Sequence, residues 1–446
     1  MTTAKVFLDK ISGKIKPMNA ANNGPAGSRI RQTGNFKDYA SLNIPYARLH
    51  DSSFYAGNYG GEFAVDVHRI FPDFSKDENE PSSYIFEPTD SYLQDIEAAG
   101  TKVFYRLGAS IEHGYKRGTY PPADFAKWAR ICEHIILHYT QGWANGYHMD
   151  IEYWEIWNEP DCRNPNGENP CWQGTEEQFY DFYEVVAKYL KTKFPSLKIG
   201  GPAFCSSKSY MAEPFLSEMQ KRNVPIDFYS FHRYSNVVEK YVEVVEVADQ
   251  QRKKYGYENT ELHLNEWNYV KDWVGEVYQY SLATQKNLKG SAFVSAVMLA
   301  MQKTKLDMLS YYDLRPSGWN GVFEMYTSKP LKPYYTFKAF SEIAKLKNEL
   351  LSETEDDVYI IASQDGDEAC VVVTRYDDND EADVKDIAID FSTEKTCKKI
   401  TIEYYVIDEN RNLELVREEY FSAPSFRVYI KMPNFNTYML KIRKEY

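Results

Sequence analysis

Eight short strand-like segments recur between residues 10 and 350, and segments with helical periodicity separate most of them. The strand-like segments combine apolar, aromatic and β-branched residues and end at turn-forming residues. They lie at residues 15–20, 45–50, 102–107, 153–157, 197–200, 226–231, 262–265 and 308–312. The helical segments lie at residues 122–141, 175–194, 236–255, 291–303 and 334–350. This alternation predicts a fold of the α/β class, a closed parallel (β/α)₈ TIM barrel over residues 10–350.

After residue 350 the pattern changes to strands alone. Predicted strands lie at residues 358–363, 369–376, 387–391, 399–407, 427–431 and 437–442. The sequence Gln-Asp-Gly-Asp at residues 364–367 separates the first two strands and is typical of a hairpin turn. We therefore predict a smaller C-terminal β-sandwich over residues 351–446. A strand at residues 5–9 could join this sandwich, which would assign residues 1–9 to the same domain.

The net charge of the 446-residue chain is −13 at pH 7. Nucleic acids and anionic membranes attract basic proteins, so we expect neither as a partner. The chain begins without an apolar segment of signal-peptide length and contains no apolar window long enough to span a membrane, which favours a cytoplasmic protein. A secreted protein with its leader trimmed would look the same. A monomer and a homo-oligomer both stay open.

The cysteines and histidines lack the spacing of a metal site. The six cysteines are scattered, at Cys132, Cys162, Cys171, Cys205, Cys370 and Cys397. Cys162 and Cys171 bracket a loop rich in Pro, Asn and Gly and could form a disulfide, although free thiols are favoured in the cytoplasm. His134 and His138 are spaced by one helical turn, and we expect them to lie on a helix face against the barrel. No phosphate-binding loop is present either, so we expect neither a metal nor another cofactor.

Two glutamates come at the ends of two predicted strands. Residues 151–161 read IEYWEIWNEPD, and Glu159 stands where Pro160 ends the strand. Residues 262–267 read LHLNEW and carry Glu266 next to a tryptophan. Folding requires no carboxylate at the end of a buried strand, whereas hydrolysis of a glycosidic bond requires two carboxylates that face each other. The sequence therefore predicts a glycosidase site built on Glu159 and Glu266.

Other candidates follow from the rule that functional residues of such barrels lie at the carboxyl ends of the strands. The rule selects His50, Asp51, Asn158, His232, Tyr234, Asp313, Arg315 and Trp319. For Trp319, stacking on a sugar and packing within its own loop are equally plausible. Glu155 shares the alternating face of Glu159, and we expect it to be buried in a pair with an arginine such as Arg48.

Four motifs at these strand ends resemble one known family. ARLHD on strand two, WNEP on strand four, SFHRY on strand six and NEW on strand seven are similar to glycoside hydrolase family 39, a family of retaining barrel glycosidases. The resemblance implies that Glu159 is the general acid/base and Glu266 the nucleophile of a double displacement. Glu159 would then begin the cycle protonated, and Glu266 would be ionised.

The same resemblance implies roles for the residues around the two glutamates. Asn158 would donate a hydrogen bond to the 2-hydroxyl group of the sugar. His50 would contact the glycone. Arg48, together with His232 and Tyr234, would keep the nucleophile anionic and oriented.

The leading hypothesis is a retaining, exo-acting, β-xylosidase-like enzyme that hydrolyses plant-type oligosaccharides or other glycosides. The segment YYDLRPSGWNGVFE departs from the best-known xylosidases of the family, so Asp313 and Arg315 could change which glycone fits. An arabinosidase or another glycone specificity is one alternative, and a uronide hydrolase that uses Arg315 is less favoured. A non-catalytic carbohydrate-binding protein is an alternative of another class, but binding alone has no use for two opposed carboxylates.

Overall fold

The computed structural model describes residues 2–30, 34–50, 64–112, 114–319, 321–355, 357–394 and 397–446. Its strands are β1 (Thr2–Lys14), β2 (Ala20–Asn22), β3 (Tyr46–Arg48), β4 (Lys102–Leu107), β5 (Tyr153–Ile156), β6 (Lys198–Phe204), β7 (Phe228–Tyr234), β8 (Glu261–Asn268), β9 (Met308–Tyr311), β10 (Asn348–Glu353), β11 (Val358–Asp365), β12 (Glu368–Arg375), β13 (Lys385–Ser392), β14 (Lys399–Ile407), β15 (Asn412–Phe421), β16 (Ser425–Met432) and β17 (Thr437–Glu445). Its α-helices are α1 (Phe36–Ala40), α2 (Val67–Ile70), α3 (Glu87–Ala98), α4 (Phe125–Gln141), α5 (Glu176–Lys193), α6 (Ala212–Lys221), α7 (Glu239–Lys254), α8 (Gly275–Thr284), α9 (Leu288–Gln302) and α10 (Lys332–Lys345). Among these described helices, none combines the length and the apolar character that crossing a membrane would require.

Strands β2 to β9 form a closed barrel in chain order. Each strand runs parallel to the next, and β2 also pairs with β9, with Ala20 opposite Ser310. The predicted (β/α)₈ barrel is therefore confirmed. Helix α5 begins with a capping box in which Thr175 and Gln178 satisfy each other's backbone N–H groups, as this pair of residues indicates in the sequence.

The predicted position of the first barrel strand is wrong. Residues 15–19 connect β1 to the barrel, and the strand itself is Ala20–Asn22. Pro17 has no N–H group to donate to a neighbouring strand, so an apolar segment that contains it does not continue a ladder. Three other predicted strands end too early: β6, β7 and β8 continue to Phe204, Tyr234 and Asn268.

The remaining strands form one nine-stranded sheet, which makes the C-terminal part of the chain a β-rich domain. Their order in this sheet is β15-β14-β17-β12-β11-β10-β1-β13-β16. Strand β1 pairs with β10 and with β13, so the first residues of the chain lie inside the C-terminal sheet. The predicted hairpin is confirmed, since Asp365 of β11 pairs with Glu368 of β12. Strands β10 and β15 were not predicted, and β10 begins where helix α10 was expected to continue.

Candidate active site

The interior of the barrel is layered because side chains along a strand alternate between its two faces. The floor is apolar and consists of Ala20, Phe104, Tyr153, Phe228 and Met308. Two residues further along their strands, Asn22, Glu155 and Ser230 are buried and polar. They lie between this floor and the carboxyl ends of the strands, where the two predicted glutamates are found.

Arg48 connects this polar layer to the candidate site. Its side chain is fully buried, and its Nε donates to Oε2 of Glu155 over 2.6 Å. Its Nη1 donates to Oε1 of Glu266 over 2.9 Å and to Oδ1 of Asn22 over 3.0 Å. Its Nη2 donates to Oδ1 of Asn158 over 2.7 Å. A planar guanidinium with donors on three nitrogens can orient all four groups at once, which an ammonium cannot do.

Glu155 is the buried partner of Arg48, as the sequence predicts. Its other carboxylate oxygen accepts hydrogen bonds from the Ser230 hydroxyl over 2.6 Å and from the Asn265 amide over 2.5 Å. A buried carboxylate needs such partners to offset its lost hydration. Glu155 is therefore a structural anion that positions Arg48.

Glu266 reaches the site through a β-bulge in β8. Phe231 of β7 pairs with Leu264, whereas His232 pairs with Glu266, so Asn265 is one extra residue on β8. A bulge interrupts the alternation of side chains. Asn265 and Glu266 therefore both face the barrel interior, although they are adjacent in sequence.

The charge of Glu266 is stabilised from several sides. In addition to the bond from Arg48, its Oε2 accepts a hydrogen bond from the Tyr234 hydroxyl over 3.0 Å. His50 Nε2 lies 3.4 Å from Oε1, and His232 Nδ1 lies 3.6 Å from Oε2. Burial by itself would raise the pKa of Glu266, but His232, His50 and Arg48 outweigh it and lower this pKa to about 2. Glu266 is therefore ionised at neutral pH.

Glu159 follows β5 in an irregular segment of backbone. Both Trp157 and Glu159 have positive φ angles, of 77° and 47°, which non-glycine residues rarely adopt. The N–H group of Glu159 donates to the carbonyl of Ala203 over 2.9 Å and ties this turn to β6. The turn directs Trp157 towards the helices and leaves the half-buried Glu159 at the mouth of the barrel.

His232 lies between the two glutamates. Its Nδ1 is 2.7 Å from Oε1 of Glu159 and 3.6 Å from Oε2 of Glu266. Burial by itself lowers the pKa of His232, but the charges of Glu266 and Glu159 outweigh this and raise it above 6.5. The resemblance pointed to the nucleophile as the partner of this histidine, whereas the shorter contact is with Glu159.

The two carboxylates face each other at short range. One oxygen of Glu159, one of Glu266 and one ring nitrogen of His232 all lie within 4.8 Å of one another. These three groups have the atom types of a metal site, but the two carboxylates differ in environment, since the buried Arg48 donates a hydrogen bond to Glu266, whereas Glu159 is half-buried beside His232. The arrangement can therefore donate a proton from one carboxyl group while the other attacks as an anion.

The other predicted residues near the glutamates divide into two groups. Asn158 and His50 are buried beside Glu266, and Arg48 holds the carbonyl oxygen of the Asn158 amide, which directs the amide nitrogen away from Arg48. Trp319 is half-buried, and its ring lies 5.9 Å from that of Tyr234 and 5.6 Å from that of Trp273, on which it stacks. An aromatic surface therefore adjoins the carboxylates.

Some candidates serve packing or hold other side chains. Asp313 is fully buried and accepts hydrogen bonds from Asn23 and Arg315. His134 and His138 lie on α4, where Nδ1 of each contacts a backbone carbonyl and their rings pack against Trp143 and Phe86. Asp51 lies outside the described residues.

None of the six cysteines, all of which lie within the described residues, forms a disulfide. Cys162 and Cys171 are not bridged, but the thiol of Cys162 contacts the thiols of both Cys171 and Cys205. Cys205 directly follows β6, and its proximity to Cys162 was not expected from the sequence.

The profile of Glycosyl hydrolases family 39 matches residues 67–427. The chain belongs to this family. The resemblance to this family is thus confirmed; the WNEP, SFHRY and NEW motifs lie within the matched residues, whereas ARLHD precedes them.

Relatives of this family 39 chain include β-xylosidases and a glucosidase. A β-xylosidase from Geobacillus stearothermophilus is 24% identical over 329 residues, which cover 65% of this chain and 61% of that protein. The chain thus spans less than two thirds of this relative. The crystal structure of a glucosidase from Croceicoccus marinus matches with a TM-score of 0.82, 19% identity and 99% coverage of both chains. A family 39 β-xylosidase from Caulobacter crescentus matches with a TM-score of 0.67, 16% identity and 99% coverage of both. At these identities the two structures show a shared fold alone.

Sequence reasoning missed several residues of the family 39 site. Asn22 and Asn23 were missed because the first barrel strand was placed too early, so their position at its carboxyl end was not recognised. Asn23 accepts the N–H group of His50 over 3.2 Å. Tyr312, whose ring meets that of His50 edge to face at 5.5 Å, directly follows β9 and could have been found by the strand-end rule. Ser230 and Asn265 lie inside strands and gave no such signal.

Proposed function

We propose that this family 39 chain is a retaining glycosidase that is exo-acting and β-xylosidase-like. The observation that carries the proposal is the approach of Glu159 and Glu266 to within 4.8 Å between carboxylate oxygens. Carboxyl groups about 5–5.5 Å apart serve retaining enzymes, whereas inverting enzymes separate them by about 6.5–9.5 Å to admit a water molecule. The short separation supports a double displacement.

In the first step, Glu266 attacks the anomeric carbon and Glu159 donates its proton to the glycosidic oxygen. The aglycone leaves as an alcohol, and the sugar remains bound to Glu266 as an ester. Arg48 and Tyr234 support this step because they hold both carboxylate oxygens of Glu266 and keep the carboxylate ionised. Their fixed positions reduce the reorganisation that the transition state requires.

In the second step, a water molecule attacks the same carbon, and Glu159 accepts its proton as a general base. Glu159 is anionic at this point. His232 supports this state because its Nδ1 lies 2.7 Å from the carboxylate and its raised pKa favours the protonated ring. The second displacement releases Glu266 and restores the original configuration of the sugar.

The neighbouring residues suggest how the glycone is held. The amide nitrogen of Asn158 is directed away from Arg48 and is assigned to the sugar 2-hydroxyl group, where a bond that strengthens in the transition state aids catalysis. His50 lies against Glu266 and is assigned to the glycone. Arg315 is paired with Asp313, so a uronide carboxylate would compete with an existing ion pair. The relatives include β-xylosidases and a glucosidase, which favours a xyloside as substrate and a glucoside as the alternative. An arabinoside is a further alternative.

A panel of nitrophenyl glycosides tests the proposal. We expect turnover of the β-xyloside, with proton NMR showing the β-anomer as the first sugar formed. Xylo-oligosaccharides should be shortened by single xylose units, as expected for exo action. The α-anomer as first product would disprove retention. Turnover of another glycoside but not of the β-xyloside would disprove the xylosidase assignment and leave the glycosidase proposal in place.

A mechanism-based 2-fluoroxyloside identifies the nucleophile. We expect mass spectrometry of the inactivated enzyme to place the label on Glu266, because only the nucleophile forms the long-lived ester. Glu266→Gln is the matched control and should not be labelled. If no glycoside is cleaved and sugar affinity survives in Glu266→Gln, the chain is a carbohydrate-binding protein instead.

A further inference from the structure

The thiols of Cys162 and Cys205 lie close to the carboxylate of Glu159. One oxygen of Glu159 and the sulfur atoms of Cys162 and Cys205 all lie within 4.8 Å of one another. All three residues are half-buried, so solvent reaches them. The mechanism proposed above uses Glu159 alone and gives the two thiols no role.

The backbone holds these three groups in place. The N–H group of Cys162 donates to the carbonyl of Glu159 over 3.0 Å, which forms a tight turn. The N–H group of Cys205 donates to both carboxylate oxygens of Asp161, over 3.1 and 3.2 Å. Asn169 closes the following loop by donating to the carbonyl of Pro160 over 2.7 Å. The cluster is thus assembled on two anchored backbone segments, one after β5 and one after β6.

Two sulfurs and one carboxylate oxygen match the ligands of a thiophilic divalent cation. Zn²⁺ binds cysteine sulfur at about 2.3 Å and carboxylate oxygen at about 2.0–2.2 Å in a tetrahedron, which places ligand atoms roughly 3.5–3.8 Å apart. The present atoms lie within 4.8 Å of one another, so side-chain rotations can bring them to such separations. The sequence spacing did not indicate this site because its ligands come from the ends of two different strands.

We propose that Glu159, Cys162 and Cys205 form a binding site for a thiophilic divalent cation of the Zn²⁺ and Cd²⁺ class. Binding releases the two thiol protons to solvent and forms two metal–sulfur bonds and one metal–oxygen bond. A cation bound to the Glu159 carboxylate stabilises the anionic form and disfavours the protonated form that the first step requires. Occupation of the site therefore inhibits hydrolysis, and this part of the inference rests on the proposed function.

Binding is tested with Cd²⁺ alone, because its thiolate bonds absorb in the ultraviolet whether or not the enzyme turns over. The full chain, kept reduced with a phosphine, is titrated with CdCl₂. We expect one equivalent to bind with a cadmium–thiolate absorption, and EDTA to reverse it. Cys162→Ser and Cys205→Ser should each weaken binding at least tenfold, whereas Cys370→Ser, which alters a buried thiol on β12, should not. Full-affinity binding in both site variants, or no stoichiometric binding, would overturn the proposal.

The wild-type chain supplies a second measurement that does not depend on the folding of a variant. Bound Cd²⁺ should protect Cys162 and Cys205 from alkylation by iodoacetamide, as read by mass spectrometry of peptides. Equal alkylation of these two cysteines with and without Cd²⁺ would overturn the site.

Inhibition is tested separately from binding. With the activity of each protein without metal as its own reference, Zn²⁺ should reduce the turnover of nitrophenyl glycosides at least tenfold in wild type and in Cys370→Ser. Cys162→Ser and Cys205→Ser should need at least tenfold more Zn²⁺ for the same inhibition, and Mg²⁺ should have no effect.

Glu159→Gln should bind Cd²⁺ more weakly but keep the thiolate absorption. Unchanged affinity in Glu159→Gln would remove Glu159 from the site, whereas a chain that binds Cd²⁺ but cleaves no glycoside would disprove the proposed function alone.

Discussion

Arg48 donates a hydrogen bond of 2.9 Å to Glu266 from a position in which its own side chain is fully buried. The same guanidinium donates to Glu155 over 2.6 Å, so one cation serves a structural anion and the proposed nucleophile. Buried charges of this kind are stable only as a connected set, because each loses its hydration. The charge state of the site is thus coupled to the stability of the barrel.

Arg48→Lys should show how much Arg48 contributes to catalysis and how much to the stability of the barrel. A lysine keeps the positive charge but cannot reach Glu155, Asn158 and Glu266 together. We expect kcat/KM to fall about 100-fold or more, with a loss of about 2 kcal/mol in the free energy of unfolding. Steady-state kinetics and urea unfolding measure the two quantities.

Arg375→Lys provides the control for Arg48→Lys. Arg375 is equally buried and is paired with Asp357 in the β-rich domain, outside the site. We expect this change to reduce stability and to leave kcat/KM within about twofold. Activity that follows stability in both variants would contradict a specific role for Arg48.

Glu159→Ala should affect substrates according to their leaving groups. Glycosides with poor leaving groups need protonation, so their turnover should fall by about 100-fold or more. Activated aryl glycosides need no acid in the first step, and azide should restore their turnover by attacking the glycosyl-enzyme. Glu155→Ala, which alters the buried structural carboxylate, should show no rescue. Equal loss on both substrate types without a glycosyl azide product would refute the acid/base assignment.

Glu266 should contribute to the pH dependence of stability. Its pKa is lowered from 4.5 to about 2, so the native state binds fewer protons here than the unfolded chain does. The contribution is fully present above pH 4.5 and is lost as the pH falls towards 2. Its size is on the order of 3 kcal/mol.

The measurement is urea unfolding followed by tryptophan fluorescence at several pH values. Between pH 4.5 and 2, the free energy of unfolding should fall less steeply in Glu266→Gln than in wild type. Glu80→Gln, which removes an exposed carboxylate, should follow the wild type. Parallel curves for wild type and Glu266→Gln would show that the pKa of Glu266 is not lowered.

Trp273→Ala should weaken the binding of longer substrates. Trp273 is 54% exposed, and its ring stacks on that of Trp319 beside Tyr234. Aromatic contacts of this type contribute about 0.5–1.5 kcal/mol, so KM for xylo-oligosaccharides should rise about 2- to 10-fold. Methyl β-xyloside, which has no second ring, should show little change. Tyr429→Ala, which removes an exposed ring from β16, serves as the control. An equal rise of KM for xylo-oligosaccharides and for methyl β-xyloside in Trp273→Ala would exclude an aglycone contact.

Val6→Asp should destabilise the β-rich domain although the residue lies near the start of the chain. Val6 is fully buried on β1, between β10 and β13. An unpaired carboxylate in such a core costs about 3 kcal/mol or more. Lys5→Asp, at the exposed neighbouring position, is the control and should change the free energy of unfolding by less than about 1 kcal/mol. Similar unfolding curves for the two variants would contradict the central position of β1.

Local patterns were sufficient to predict most of the architecture. The helix at Glu176–Lys193 begins with the capping-box pair Thr175 and Gln178, and the turn residues before Glu368 predict the hairpin. These signals depend on neighbours a few residues apart, which a sequence displays directly. Strand β10 was missed because its residues continue the helical periodicity of α10, and pairing with β1 decides their conformation.

The sequence by itself determined the barrel, the family and the two glutamates, because strand periodicity and strand-end motifs are local. Only the tertiary structure decided how these groups interact. The bulge at Asn265 turns Glu266 inwards, the positive φ angle of Trp157 reorients the segment before Glu159, and His232 lies nearer to Glu159 than to Glu266. Such relationships arise when distant strands meet in a closed barrel, where a shift of one residue in register moves a side chain to the opposite face. The same closure brings Cys205 beside Cys162 and Glu159, which no spacing along the chain indicates.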